Sequence, residues 1–167
     1  MRANTFRRLI NLWPPFLFAG IRATRISADY HEIDVALRLR WFNRNYVGTH
    51  FGGSLFAMTD PWYMLMLMRI LGRDYHVWDR HACIDFIAPG RGTVSATFRL
   101  DAALLDTIRK RTAGGDKYQP EFTVDIVDEG GEAVARVVKT LYIRRKPAAR
   151  RNDQRAGGQR GAGSTSS

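Results

Sequence analysis

Cysteine is nearly absent from this chain, and its scarcity excludes several kinds of protein. Cys83 is the one cysteine among 167 residues. An internal disulfide needs two cysteines, and cysteine-based metal clusters need more. The sequence therefore predicts a fold stabilised by its core, and one unpaired thiol is consistent with a reducing, cytoplasmic compartment.

Long hydrophobic runs are also lacking. No stretch reaches the ~18 consecutive apolar residues of a typical membrane-spanning helix. The longest apolar run, from Pro61 to Leu71, is interrupted by Arg69. Because 45% of all residues are hydrophobic, the chain can still build a real core. We therefore expect a buried helix in this run and no transmembrane segment.

Acidic residues are missing from the first 28 positions, which contain five arginines. This loosely resembles a transit peptide, but Pro14-Pro15 and the missing cleavage pattern argue against one. The spacing of the apolar residues instead predicts a short amphipathic helix over 4–13 that packs on its own domain. Its apolar positions are Phe6, Leu9, Ile10 and Trp13.

The net charge of +10 is concentrated at one end of the chain. Residues 144–167 contain seven basic side chains and one acid, so they carry +6, and residues 1–143 carry +4. We expect one folded domain over 1–146 and a disordered basic tail over 147–167. A solubilising role for the tail is favoured over contact with RNA, an acidic membrane or ligand phosphates. No specific nucleic-acid partner is expected.

Hydrophobic periodicity predicts an α+β fold. A nearly continuous apolar segment predicts a long helix from Phe51 to Leu71 that Gly72 ends and Pro61 bends or restarts. The segment 104–116 is either a loop or a short helical turn. Alternating or apolar runs predict strands at 21–29, 32–41, 77–88, 93–101, 122–127 and 133–143, with strand-like runs only after the long helix.

A polar, glycine-rich turn precedes this helix and carries the candidate catalytic residues. The backbone N–H groups of Gly52 and Gly53 at a helix start suit an oxygen that gains negative charge. Asp60 is the one acid of the helix, and it can activate water or attack a carbonyl carbon directly. Asn45 can orient water or the carboxylate without taking up charge. His50, which directly precedes Phe51 at the helix start, is the remaining candidate catalytic residue.

The element order and the spacing of Asn45, Gly48-Thr49, Gly52-Gly53 and Asp60 resemble the hotdog-fold thioesterase superfamily. The likeness covers roughly residues 20–143. It points most closely to the phenylacetate-pathway-type acyl-CoA thioesterases and to an uncharacterised thioesterase-like branch. The resemblance implies an antiparallel sheet wrapped around a long central helix, and cleavage of an acyl-CoA or acyl carrier protein thioester in fatty acid metabolism. It also implies a homodimer, or a dimer of dimers, with the site at the subunit interface. Coenzyme A would then be part of the substrate, with no separate cofactor.

Two positions depart from that pattern. Phe51 stands where these thioesterases have histidine, with His50 one residue earlier, and Pro61 directly follows Asp60. The first departure motivates an alternative function, a non-catalytic acyl-CoA or fatty-acid binding protein on the same fold.

Each candidate also has a structural alternative. Asp60 can be a helix carboxylate held by an arginine or a tryptophan N–H, and Asn45 can be a turn residue. His50 can be a capping or interface residue. The glycines can serve tight packing alone. No metal site is expected, because the spacing of the other three histidines matches no ligand pattern. These histidines are His31, His76 and His81.

The candidate substrate-binding residues are Thr49 and Phe51 beside the glycines, Met64 for an acyl chain and Arg91 for coenzyme A phosphates. Further cations for these phosphates are Arg99, Lys139 and the basic cluster 144–146. For each cation taken singly, a solvated strand face is the favoured interpretation.

Overall fold

The computed structural model describes residues 1–147, and an antiparallel sheet of seven strands organises them. The strand order is β1-β2-β4-β6-β7-β3, and β5 pairs with β7. The strands are β1 (Ile21–Ile26), β2 (Glu32–Arg38), β3 (Tyr75–Phe86), β4 (Thr93–Arg99), β5 (Lys117–Tyr118), β6 (Glu121–Val127) and β7 (Ala133–Arg145). Except for Pro147, the predicted tail lies outside the described residues.

Strict alternation in β2 and β4 creates the buried face of the sheet. Side chains two residues apart on a strand point to the same face of the sheet. Buried residues therefore recur on one face of β2 and β4, and more exposed residues recur on the other. Antiparallel pairing then places buried residues opposite one another, as in the pair Val35 and Ala96. The register also pairs Ile33 with Phe98 and Leu37 with Val94.

A helical layer covers this buried face. It consists of α3 (Gly52–Ala57) and α4 (Trp62–Leu71), whose apolar side chains join the core of the sheet. The ring of Tyr63 in α4 stacks on Phe122 at 4.5 Å between centroids and meets Phe98 edge-on at 5.2 Å. The predicted layering of a helix against an antiparallel sheet is therefore confirmed.

The predicted continuous helix from Phe51 to Leu71 is interrupted at 58–61. Pro61 lacks an N–H and directly precedes α4, so of the bend or restart expected at this proline the structure shows the restart. The Trp62 indole N–H donates to the Met58 carbonyl at 2.7 Å, which satisfies a carbonyl that the break exposes.

The N-terminal segment contains two helices rather than one. They are α1 (Ala3–Ile10) and α2 (Pro14–Ala19). The first helix ends at Ile10, earlier than the predicted end at Trp13, and Pro14 and Pro15 start the second, because proline fits the first turn of a helix. Phe16 of α2 is buried against Trp62, with ring centroids 5.4 Å apart.

The segment left open between loop and helical turn forms a full helix, α5 (Ala102–Thr112). The Asp101 side chain caps it by accepting a hydrogen bond from the Leu104 backbone N–H at 2.6 Å. The expectation that only strands follow the long helix is therefore wrong. In the described part of the chain, no helix combines the length and the apolar character needed to cross a bilayer.

Candidate active site

Asn45 shapes the turn that leads into α3. Its side-chain oxygen accepts hydrogen bonds from the backbone N–H groups of Val47 (3.1 Å) and Thr49 (3.0 Å). Its amide nitrogen donates to the Thr49 hydroxyl at 2.8 Å and to the His50 carbonyl at 3.1 Å. Gly48 adopts a left-handed conformation in this turn, with φ of 81°. Every polar group of the Asn45 side chain thus has a backbone or neighbouring partner.

His50 ties this turn to the loop between β3 and β4. Its backbone N–H donates to the Gly90 carbonyl at 3.0 Å, and its Nε2 lies 3.1 Å from the Gly92 carbonyl. A carbonyl only accepts, so Nε2 carries the proton and Nδ1 is left as an acceptor. Nδ1 is buried and has no hydrogen-bond partner among residues 1–147. Burial lowers the pKa of His50, because the charged imidazolium loses its solvation.

Gly52 and Gly53 begin α3 and are held close to aromatic rings. A Cβ at Gly52 would lie 2.9 Å from the Phe86 ring, and one at Gly53 would overlap the ring of Phe51. Neither backbone N–H has an acceptor within residues 1–147, as is usual in the first turn of a helix. The two donors are therefore free to meet a ligand.

A pocket of about 500 Å³ lies at the start of α3. Arg91 is the one charged side chain among its lining residues, which suits an anionic ligand. The lining includes the predicted residues Asn45, Thr49, His50, Gly52 and Arg91, together with Val47, Leu55, Phe86, Ile87, Ala88, Pro89 and Gly90. Five of the nine predicted site residues thus meet in one cavity.

Asp60 lies outside that pocket, at the break between α3 and α4. Its carboxylate is largely exposed, and Lys139 Nζ lies 3.7 Å from its Oδ1. The same ammonium contacts Asp79 Oδ2 at 3.2 Å, the Thr59 carbonyl at 3.5 Å and the Asp60 carbonyl. Lys139 itself is fully buried on β7. A buried cation thus anchors the loop that carries Asp60.

Asp79 is the third member of this charged cluster. Burial raises the pKa of the Asp79 carboxyl, and the Lys139 ammonium partly opposes that rise. Its Oδ1 is buried without a partner among residues 1–147. Sequence reasoning missed Asp79.

The buried position of Lys139 corrects the interpretation drawn from the sequence. The sequence favours a solvated strand face for Lys139, but its side chain is buried with those of Val137 and Leu141. The period of two along β7 already places Lys139 in the buried row. Another phosphate candidate, Arg99, is exposed and forms an ion pair with Glu32 at 2.8 Å.

Met64 also lies outside the pocket at α3. It lines an apolar groove of about 440 Å³ between α1 and α4, together with Met1, Phe6, Leu9, Ile10, Trp13, Pro61 and Leu65. Phe51 is exposed at the start of α3, over Gly53, and Gly53 itself does not line the pocket.

No group of His, Cys, Asp and Glu side chains suited to a metal ion occurs within residues 1–147.

The fold has close counterparts among solved structures. A protein of unknown function from Pseudomonas aeruginosa, described as a probable thioesterase, superposes with a TM-score of 0.76 at 19% identity, covering 87% of this chain and 97% of that one. A thioesterase from Haemophilus influenzae gives a TM-score of 0.63 at 14% identity, covering 86% and 90%. A mutant of the phenylacetic acid degradation protein from Thermus thermophilus gives 0.54 at 22% identity, covering 77% and 97%.

These likenesses confirm the predicted hotdog fold, and at such identities they show the fold alone. No curated protein matches the chain. A family match does extend over most of it, from residue 2 to residue 143. The chain therefore belongs to the family described as Domain of unknown function (DUF4442), and it has the hotdog fold of the thioesterases.

Proposed function

We propose that this protein hydrolyses the thioester of an acyl-CoA or acyl carrier protein substrate. The observation that carries the proposal is the pocket at the start of α3, where the free backbone donor of Gly52 and the cation of Arg91 both line the cavity. The Gly52 backbone N–H lies in the same cavity as the His50 imidazole and Arg91. Fold likeness to a probable thioesterase and to a protein described as a thioesterase supports the same reaction class.

The chemistry follows from these groups. The N–H groups of Gly52 and Gly53 stabilise the negative charge that develops on the thioester oxygen, since they point outward from a helix start. Arg91 binds a phosphate of coenzyme A. Coenzyme A enters as part of the substrate, and no separate cofactor is proposed.

Asp60 supplies the base or the nucleophile at the carbonyl carbon. Its carboxylate is accessible to solvent, while the Lys139 ammonium fixes the loop beside it. As base, Asp60 takes a proton from the attacking water, and the thiolate of coenzyme A leaves. As nucleophile, it forms a mixed anhydride that water then cleaves. Turnover in heavy-oxygen water labels the Asp60 carboxylate only in the second case.

A homodimer completes the site in this proposal. Asp60 lies outside the α3 pocket of its own chain, so the proposed site combines the pocket of one subunit with Asp60 of the partner subunit. The long edge strand β3 has a neighbour on one side only, β7, among residues 1–147. An unpaired strand edge readily pairs with a second copy. Two such dimers associate into a dimer of dimers in the same proposal. We also propose a cytoplasmic location, which suits the exposed free thiol of Cys83.

The test is release of free thiol from short, medium, long and aromatic acyl-CoAs. Asp60→Asn removes the charge at nearly constant shape, and we expect its turnover to fall by about a hundredfold or more. Asp106→Asn is the matched control, because Asp106 is an exposed carboxylate on α5 whose one ion pair within residues 1–147 is with Arg109. Unchanged turnover in Asp60→Asn would contradict the proposal.

A second candidate is tight binding of acyl-CoA or a fatty acid without hydrolysis. The observation that favours it is Phe51, which places an apolar ring over Gly53 where the related thioesterases have an imidazole. Calorimetry would then show binding of acyl-CoA by both the native chain and Asp60→Asn, with no thiol released by either.

A further inference from the structure

Several large apolar side chains are exposed in the segments that flank β1 and β2, at the β1 edge of the sheet. We call these residues the N-terminal patch, and they are Leu12, Trp13, Leu17, Phe18, Trp41 and Phe42. Trp41 is 81% exposed and Phe18 is 77% exposed. Large apolar side chains grouped on a surface usually mark a contact with a partner or a lipid.

The two segments of the N-terminal patch are held together by Asn43. Its amide donates to the Ala19 carbonyl at the end of α2 at 3.0 Å and to the Arg38 carbonyl at 2.9 Å. A Cβ at Gly20 would lie 2.8 Å from that amide, so the two segments touch. Trp41 and Phe42 also meet edge-on at 5.7 Å. The patch is therefore a built surface rather than two independent loops.

Three arginines border the same surface. Arg22, Arg38 and Arg40 line a cleft of about 350 Å³ together with Leu17 and Phe42. Within residues 1–147 none of these arginines forms an ion pair with a carboxylate.

The carboxylates of Glu32 and Asp34 on β2 already form ion pairs with other arginines. Asp34 contacts Arg25 at 2.7 Å, and Glu32 contacts both Arg25 and Arg99. The positive charge beside the N-terminal patch is thus available to an external anion.

We propose that the N-terminal patch docks the protein onto an anionic membrane surface. Tryptophan and leucine side chains enter the interfacial layer of the lipid, while arginines contact the phosphates. The apolar groove between α1 and α4 is lined by Trp13 of this patch and by Leu9, so lipid-facing apolar surface continues beside it. This inference stands independently of thioester hydrolysis.

Other occupants fit the patch less well. The chain beyond residue 147 contains four arginines and one acid, so its charge has the same sign as the arginine cleft. A second copy docking patch to patch would place the two sets of arginines against each other. Nucleic acid would suit the arginines and the aromatic rings, but it leaves Leu12 and Leu17 exposed to water, whereas a lipid surface buries the aromatic and the leucine side chains together.

Flotation of the full chain with lipid vesicles tests the proposal. We expect binding to vesicles of phosphatidylcholine and phosphatidylglycerol, with a blue shift of tryptophan fluorescence, and much weaker binding to phosphatidylcholine alone. The variant Arg22→Gln/Arg38→Gln/Arg40→Gln should bind the anionic vesicles about a hundredfold more weakly, because each basic residue near the surface contributes about 1 kcal/mol. Trp41→Gln/Phe18→Gln should weaken binding to the anionic vesicles and reduce the fluorescence shift, with the remaining shift coming from Trp13 of the patch.

Two control variants remove equal charge elsewhere. Arg109→Gln/Lys110→Gln/Arg111→Gln on α5 and Arg150→Gln/Arg151→Gln/Arg155→Gln in the tail should keep most of the affinity. The proposal is overturned if anionic vesicles are not bound, or if either control loses as much affinity as the cleft variant. It is also overturned if the cleft variant changes only self-association, which would assign the patch to a second copy.

Discussion

At the scale of single residues, Lys139 is the most consequential side chain of the fold. Its ammonium is fully buried, and two carboxylates and two backbone carbonyls surround it. Moving a charge out of water costs several kcal/mol unless its partners replace the lost solvation. Lys139 meets that requirement and fixes the loop that carries Asp60.

We predict that Lys139→Met lowers the free energy of unfolding by about 3 kcal/mol, because Asp79 is left partly buried without its cation. Urea denaturation measures the change. Lys110→Met, on the exposed face of α5, is the control and should stay within about 0.5 kcal/mol. Adding Asp79→Asn to Lys139→Met should recover part of the loss, and no recovery would show that Asp79 is not the stranded charge.

His50 makes stability depend on pH. Its pKa lies below the ordinary value of 6.5 because burial disfavours the imidazolium. A lowered pKa in the folded state means that the unfolded state binds more protons, so this contribution is present above pH 6.5 and is lost as the pH falls below it. We predict that His50→Gln, which keeps a donor for the Gly92 carbonyl, flattens the fall in stability between about pH 7 and pH 5.

Urea midpoints across that pH range measure the effect. His81→Gln removes an exposed histidine from β3 and is the control. Equal pH slopes in the native chain and His50→Gln would show that His50 does not couple protonation to folding.

At the scale of elements, the site depends on contact between two loops and the start of α3. The backbone of Gly90 approaches both the turn before α3 and strand β7. A Cβ at Gly90 would lie 3.0 Å from Val134 and 3.1 Å from the His50 ring, and both side chains are buried. The loop between β3 and β4 can reach His50 only because this position has no side chain.

We predict that Gly90→Ala lowers the free energy of unfolding by about 1–3 kcal/mol, because the added methyl forces Val134 or His50 out of place. Gly114→Ala is a matched control, since its Cβ would meet only the exposed Asp116 at an ordinary 3.5 Å. Denaturant midpoints compare the two. Equal stability of the two variants would show that the close approach at Gly90 does not require a glycine.

At the scale of the whole molecule, the two ends of the sheet differ. The β1 end carries the N-terminal patch and its arginines, whereas β3 presents a long edge of twelve residues. A dimer formed through β3 leaves the β1 end free in both subunits. Catalysis at a shared interface and docking at the outer end then occupy separate surfaces.

We predict that two inactive variants complement each other when their subunits are mixed. In a shared site, a heterodimer of Asp60→Asn and Gly52→Val subunits holds one site with both defects and one intact site. Random assembly of two-fold dimers should then restore about a quarter of native turnover, measured by thiol release after co-expression. Sites within single chains would give no recovery, because every site would keep one defect.

Much of the fold was predictable because it depends on local patterns. Alternation along β2 and β4 identified both strands and their buried faces, and Gly72 correctly ended the long helix. The segment that became α5 stayed open, since its own pattern is weak and its capping residue, Asp101, was assigned to the preceding strand. The second N-terminal helix was missed because two prolines were interpreted only as a stop signal.

The sequence by itself determined the α+β class, six of the seven strands, the spacing from Gly52 to Asp60 and a bend or restart at Pro61, because each depends on neighbours along the chain. Only the tertiary structure decided that Lys139 joins Asp60 and Asp79, that His50 reaches Gly92, and that Phe42 lies beside Leu17 of α2. These contacts connect residues far apart in sequence. Their partners are selected by the register of the sheet and by the shape of the core, which no local pattern contains.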